Sequence, residues 1–299
     1  MAKRDFLSLL DFSPEELTHL VGRARALKQD LDLSFRPLSG RTAVLILGLN
    51  STRTRVAFET GMNQLGGHTV VLHPEDSQLG RGEPIADMAR VLSEMVDIAI
   101  IRTLAQEDME TLAASASIPV INAMSSKLHP CQLLADVQTF EELRGPITGR
   151  TVAFVGDGYN MCNSYINAAR QWEFKLKIAS PPGYEPSSEQ VASTNNAMLV
   201  ETAREAVEGA DLVVTDVWSS MGHEQQASQR RATFAPFQVD EALLEYASAE
   251  VLFMHCLPAH RGEEVSSTLL DDPRSCVWQE AGNRLHSQKA LLEFLLTPS

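Results

Sequence analysis

Cysteine is scarce in this chain of 299 residues, and the four present (Cys131, Cys162, Cys256 and Cys276) stand far apart with no C-x-x-C spacing among them. Disulfide frameworks belong to small secreted domains that cannot bury an adequate core, so these thiols are read as reduced. Long apolar runs are missing as well. No stretch approaches the ~20 apolar residues of a membrane-crossing helix, and residues 43–47 and 98–101 are of strand length. The opening MAKRDFLSLL lacks the apolar centre of a signal peptide, which points to an uncleaved cytoplasmic protein with no membrane partner. Positive charge is short too: 25 Lys and Arg face 39 Asp and Glu, for a formal net charge of −14. Gripping a nucleic acid takes an extended basic face, so nucleic acid is excluded as a partner. A small anion answers to local groups and not to the sum, and it stays open.

What the chain does hold is alternation. Short apolar runs at 42–47, 69–72, 97–101, 119–121, 152–155, 177–179, 212–215 and 251–254 read as strands, and segments of helical period lie between them. Phe58, Met62 and Leu65 share a helix face that stops at Gly66-Gly67; Leu133, Val137 and Phe140 share another that stops at Gly145. Pro84 suits the start of a helix carrying Ile85, Met88 and Leu92, and Leu285, Leu292 and Leu295 mark a last one. Residues 181–193 read as surface loop. The expected fold is α/β, two doubly wound parallel-sheet domains with an interdomain cleft. PLSGRTAVLI from Pro37 and PITGRTVAFV from Pro146 repeat the same turn and strand at an offset of 109, which sets the boundary near 143–149. In such sheets ligands bind beyond the carboxyl ends of the strands.

Those ends carry the chemistry. Ser51, Thr52, Arg53, Thr54 and Arg55 lie between a strand and a helix that Ser51 can cap. Hydroxyls, helix amides and an arginine fork together make an oxyanion cradle, most naturally for phosphate; the same letters also fit a capped surface helix with solvated arginines. Arg102 ends another apolar run. His129 and Gln132 bracket Pro130 and Cys131 at a helix start, where the imidazole can donate to a carbonyl and the amide can recognise a planar NH2. In the second half, Asn160 lies in GDGYNM, and Met161 stands where a dinucleotide fingerprint needs glycine. Asp216, Ser220 and Met221 lie in DVWSSMG, where an acid, a hydroxyl and an amide suit an amino acid or, equally, a capped loop. His255-Cys256 and His223-Glu224 lack the further ligands of a zinc site, so no metal is expected. There is no G-x-S-x-G and no P-loop.

In order and spacing, STRTR, HPCQ with LLADVQT, DVWSSMG, HCLP at 255–258 and NRLHSQKALL at 283–292 resemble the ornithine carbamoyltransferases, nearly end to end. The resemblance implies a carbamoyl-phosphate domain over residues 1–145, with a C-terminal helix (about 279–299) returning to it, and an ornithine domain over 146–278. It implies that Ser51, Thr52, Arg53 and Thr54 bind phosphate, with the HPCQ residues Pro130 and Cys131 alongside. By the same resemblance Arg102 bridges phosphate and carbonyl oxygen, His129 polarises that oxygen, and Gln132 holds the carbamoyl NH2. Gln78 corresponds to a residue reaching the site across a homotrimer interface. Asn160, Asp216, Ser220 and Met221 hold ornithine, Cys256 and Leu257 flank its δ-amine beside carbamoyl phosphate, and Arg284 reaches the reacting groups. Arg102, His129, Asp216 and Cys256 are the catalytic set.

The implied reaction, in arginine metabolism, carries a carbamoyl group from carbamoyl phosphate to L-ornithine and needs no cofactor. Two positions depart from the family pattern: Leu49-Asn50, where a Glu-Lys pair is common, and Gly282, where Glu is usual. A sister enzyme acting on another amine such as an acylated ornithine, a non-catalytic binding protein of the same fold, and a dinucleotide-dependent oxidoreductase are the rival expectations.

Overall fold

The computed structural model describes residues 3–29, 34–73, 82–103, 105–219 and 227–297. The chain divides into two compact units, one of Met1–Gln138 with Gly282–Ser299 and one of Thr139–Ala281.

In the first unit, helix α1 (Pro14–Gln29) precedes β1 (Thr42–Leu47), α2 (Thr52–Gln64), β2 (His68–Leu72), α3 (Ile85–Ser93), β3 (Ile98–Arg102), α4 (Gln106–Ser115) and β4 (Val120–Met124). The four strands are parallel in the order β2-β1-β3-β4. Strands covered on both faces read as unbroken apolar runs, and β1, β3 and β4 are buried almost throughout. Val44, Ile46, Ala99 and Ile101 pack against Met88 and Ala89 of α3 and Met109, Leu112 and Ala113 of α4.

In the second unit, β5 (Thr151–Val155), α6 (Asn160–Trp172), β6 (Lys175–Ala179), α7 (Ser188–Ala192), β7 (Ala197–Val200), α8 (Ala203–Val207), β8 (Leu212–Thr215), α9 (Ala227–Phe234), α10 (Glu241–Leu244) and β9 (Leu252–His255) follow. Their sheet is parallel in the order β7-β6-β5-β8-β9. Two helices cross the unit boundary in sequence: α5 (Pro130–Arg144) leaves the first unit, and α11 (Val277–Leu296) returns to it.

The internal echo is a structural repeat. Arg41 N–H donates to Leu38 O and Arg150 N–H to Ile147 O, each at 3.0 Å, so both units open with the same turn. The first amide of β1, on Thr42, then donates to Asp97 Oδ2 at 2.8 Å, and that of β5, on Thr151, to Asp211 Oδ2 at 2.9 Å. Both aspartates stand just before the strand that joins on the other side. Each sheet therefore reverses its winding at the repeat, between β1 and β3 and between β5 and β8, and these switch points are where α/β sheets take ligands.

The structure adds to the expected elements at two places. β7 is an edge strand with Met198 and Leu199 largely exposed, so it lacks the buried run that marks the others. Residues 181–193 contain the short helix α7, capped by Ser187.

Candidate active site

At the first switch point α2 begins against the ends of β1 and β3. Ser51 Oγ accepts from Thr54 N–H at 3.2 Å and so caps the helix, as its place in the sequence suggests. Gly48 N–H donates to Arg102 O at 2.9 Å, joining the loop after β1 to the end of β3. The β3–β4 register slips between Ile101 and Arg102, which lies opposite Met124. Such bulges re-aim side chains at sheet rims, and here the residue at the slip is the buried Arg102. Thr54 is fully buried at the helix start, and its Oγ1 has no hydrogen-bond partner among the described residues. Arg55 instead forms an exposed pair with Glu59 at 3.2 Å, one turn along, consistent with support of the helix.

His129 ends the loop after β4 and is buried just before α5. Burial holds its pKa well below 6.5, and the positive fields of Arg284, Arg102 and Arg53 act in the same direction. Three guanidiniums from α11, β3 and α2 thus converge electrostatically on one neutral imidazole, in a chain of net negative charge. Gln132 Oε1 accepts from Arg284 Nη1 at 2.6 Å. Cys131 is no nucleophile: its thiol is buried, donates to Asn122 O at 3.2 Å and is pushed up to about 12.

At the second switch point Thr215 Oγ1 donates to Val155 O at 2.6 Å, tying the ends of β8 and β5 together. Asn160 opens α6, and Asp216 follows β8, both buried. Burial raises the Asp216 carboxyl, against the pull of His255, of the Cys256 thiol and of the Val217 amide. Cys256 Sγ donates to Asp216 Oδ1 at 3.2 Å, so the acid and the thiol meet from strands β8 and β9. The sequence offers His255 only through its pair with Cys256 and the HCLP motif, and it marks neither Glu264 nor Glu280. His255 Nδ1 accepts from Leu257 N–H at 2.8 Å, which places the proton on Nε2, 3.2 Å from Glu264 Oε1. Glu280 accepts the His255 amide at 3.0 Å. Leu257, held by that imidazole, has a left-handed φ of 55°.

Ligand atoms of Asp216, His255 and Cys256 lie within 4.8 Å of one another, close enough to hold a metal ion, although both His255 nitrogens are engaged as described. Of the expected site residues, Gln78, Ser220 and Met221 lie outside the described residues. The structure groups Ser51, Thr52, Arg53, Thr54, Arg102, His129, Gln132 and Arg284 in the first unit, and Asn160, Asp216, Cys256 and Leu257 in the second.

Residues 4–142 match the carbamoyl-P binding domain of the aspartate/ornithine carbamoyltransferases, and residues 148–295 match their Asp/Orn binding domain. The chain belongs to the aspartate/ornithine carbamoyltransferase family. Within that family it is 57% identical to the ornithine carbamoyltransferase of Chromohalobacter salexigens, over 99% of this chain and 98% of the other. It is 56% identical to the anabolic ornithine carbamoyltransferase of Pseudomonas aeruginosa, over the same shares. The ornithine carbamoyltransferase structure from Pyrococcus furiosus superposes with a TM-score of 0.93 at 44% identity, covering 99% of this chain and 97% of that one. That from Burkholderia thailandensis gives 0.91 at 46%, covering 98% of each. Across the family members matched, the two-domain parallel α/β fold with its C-terminal helix is shared. Among the described residues no helix is long and apolar enough to cross a membrane.

Proposed function

We propose that this chain transfers the carbamoyl group of carbamoyl phosphate to the δ-amine of L-ornithine, giving L-citrulline and phosphate. The observation that carries the reading is the convergence of Arg53, Arg102 and Arg284 on buried, neutral His129 in the unit matching a carbamoyl-P binding domain. The α2 amides with Ser51, Thr52, Arg53 and Thr54 take the phosphate. Arg102, Thr54 and His129 stabilise the oxyanion that forms at the carbamoyl carbon, where loss of one such donor costs ~10²–10³ in rate. The attacking nitrogen forms the new C–N bond as the carbonyl π pair moves onto oxygen, and collapse of that oxyanion breaks the C–O bond to phosphate. Phosphate leaves with the electron pair and takes up the proton shed by the nitrogen. Asp216 and Asn160 hold the α-amino acid end with Ser220 and Met221, and Cys256 with Leu257 flanks the δ-amine. Holding both substrates for attack supplies the entropic part of the catalysis.

A cytoplasmic homotrimer, in which Gln78 of a neighbouring copy completes each site, belongs to the same proposal. Exposed Val56 on α2, Val70 on β2, Val91 on α3 and Met95 just after it support a face that another copy covers. The test is colorimetric citrulline production by the purified chain. Arg53→Ala loses carbamoyl phosphate binding, whereas Asp216→Ala keeps it and loses ornithine. Preference for an acylated ornithine, or equal failure of both variants at carbamoyl phosphate, overturns the assignment.

A further inference from the structure

Asp136 lies one turn along α5 from Gln132, is 1% exposed, and has no part in the chemistry set out above. Its Oδ1 accepts a 2.8 Å hydrogen bond from Gln132 Nε2. The opposite end of that amide, Oε1, is the atom that accepts from Arg284. An ionised carboxylate only accepts and a guanidinium only donates. Between them a single orientation of the Gln132 amide is satisfied, nitrogen toward Asp136 and oxygen toward Arg284. Gln288, one turn further along α11, faces Arg284 in turn: with its amide oxygen turned to the guanidinium it accepts from Nε at 3.0 Å and from Nη2 at 2.8 Å. Four buried side chains from two helices of the first unit form one directed series of hydrogen bonds.

We propose that Asp136 is a positioning residue that makes Gln132 select a carbamoyl group: by holding the amide nitrogen, it commits Oε1 to accept from the substrate NH2. The inference rests on the carbamoyl phosphate reading above. A carbonyl oxygen has two acceptor lone pairs, so Oε1 serves a substrate N–H alongside Arg284. An acyl phosphate with a methyl group in place of NH2 desolvates that oxygen without satisfying it. Sites built to bond an N–H reject such analogues strongly, because their own polar group is stranded. Replacing Asp136 by a group that both donates and accepts removes one of the two constraints, leaving Arg284 alone to hold the oxygen, so the amide inverts more readily. An inverted Gln132 offers N–H to N–H and loses the distinction.

The experiment compares the KM for carbamoyl phosphate with the inhibition constant of acetyl phosphate, competing at the same site, in wild type and Asp136→Asn. The expected result is a KM raised roughly 10- to 100-fold while acetyl phosphate inhibition moves by less than about threefold, so discrimination collapses. Asp136→Ser carries the same test if the asparagine variant does not fold, and Asp136→Glu, which still only accepts, retains discrimination in either case. Parallel weakening of both ligands marks general loosening and overturns the proposal, as does an unchanged ratio. Absence of citrulline formation by the wild type would defeat the functional reading itself, whereas an active wild type with an unmoved ratio defeats this inference alone.

Discussion

Asp157 and Arg230 form an ion pair almost wholly withdrawn from water, with side chains 10% and 5% exposed. Arg230 also donates through Nε to Trp218 O, and its guanidinium stacks 4.6 Å from the Tyr184 ring and 5.1 Å from that of Phe234. Asp157 precedes Asn160 in the loop after β5, and Trp218 follows Asp216 after β8. One cation therefore fastens together the two loops that carry the expected ornithine ligands. Burial pushes the Asp157 carboxyl up to about 7 even against Arg230.

The first prediction follows from that cost. Arg230→Met leaves the Asp157 carboxyl buried without the guanidinium that favours its ionised form. At pH high enough to ionise it the chain is destabilised by roughly 3–5 kcal/mol, read from urea unfolding, and the KM for ornithine rises. Adding Asp157→Asn removes the charge that was stranded and restores part of the stability. A double variant no more stable than the single one contradicts the account.

His129 supplies a prediction with a definite sign. Its pKa in the folded chain lies below the ordinary 6.5, so under acid conditions the unfolded chain takes a proton that the native state refuses. The contribution is fully present above about pH 6.5 and is lost as pH falls below it, with a limiting slope of about 1.4 kcal/mol per pH unit. His129→Gln, which does not titrate, has a shallower loss of stability between pH 6.5 and 5. Parallel unfolding curves for variant and wild type would show that the imidazole is not held neutral.

Asp216 gives a kinetic counterpart. An ionised carboxylate is the form that holds an ammonium, and burial already raises this one. The Cys256 thiol opposes the rise by donating to Oδ1. Cys256→Ala therefore moves the acid limb of kcat/KM for ornithine to higher pH, and Cys256→Ser, which keeps a donor, brings it back toward the wild-type position. The pH profile with saturating carbamoyl phosphate decides it, and identical limbs in wild type and Ala variant would refute the coupling.

Much of the architecture was legible because burial on both faces writes itself as apolar letters. The strand at 42–47 and that at 212–215 have the expected ends, since each is a closed run between turn residues. Strand β4 runs on past Ile121 because Asn122, polar by its letter, is buried with its amide donating to Leu7 O at 2.9 Å. His255 ends β9 where the sequence suggested a loop after it, because its hydrogen bonds, not its hydropathy, bury it. Motif residues next to strand ends could be found by spacing. The roles of Asp136, Glu264 and Gln288 could not, although Asp136 and Gln288 stand inside LLADVQT and NRLHSQKALL, since each acts on another residue through a contact that only folding creates; a charged or amide letter mid-helix or in a loop carries no mark of its burial.

Two glycines separate these levels by experiment. Gly158 lets the loop after β5 touch the backbone at 184–186: its N–H donates to Tyr184 O at 2.7 Å, and an added Cβ would fall 2.1 Å from Pro186 N and 2.4 Å from Glu185 C. Both neighbours are main chain and cannot step aside, so Gly158→Ala costs roughly 3 kcal/mol or more and impairs ornithine binding two residues before Asn160. Gly282 is the opposite case. It lies exposed inside α11, two residues before Arg284, and an added Cβ meets nothing within 4 Å. Alanine there removes the helix penalty of glycine, a gain of about 1 kcal/mol or some 2–4 °C in Tm. The gain comes through the backbone of the helix that holds Arg284, so carbamoyl phosphate affinity stays level or tightens. Calorimetry and citrulline kinetics on the two alanine variants check both halves, and a destabilised Gly282→Ala would mean that α11 needs the freedom of glycine at that turn to set Arg284.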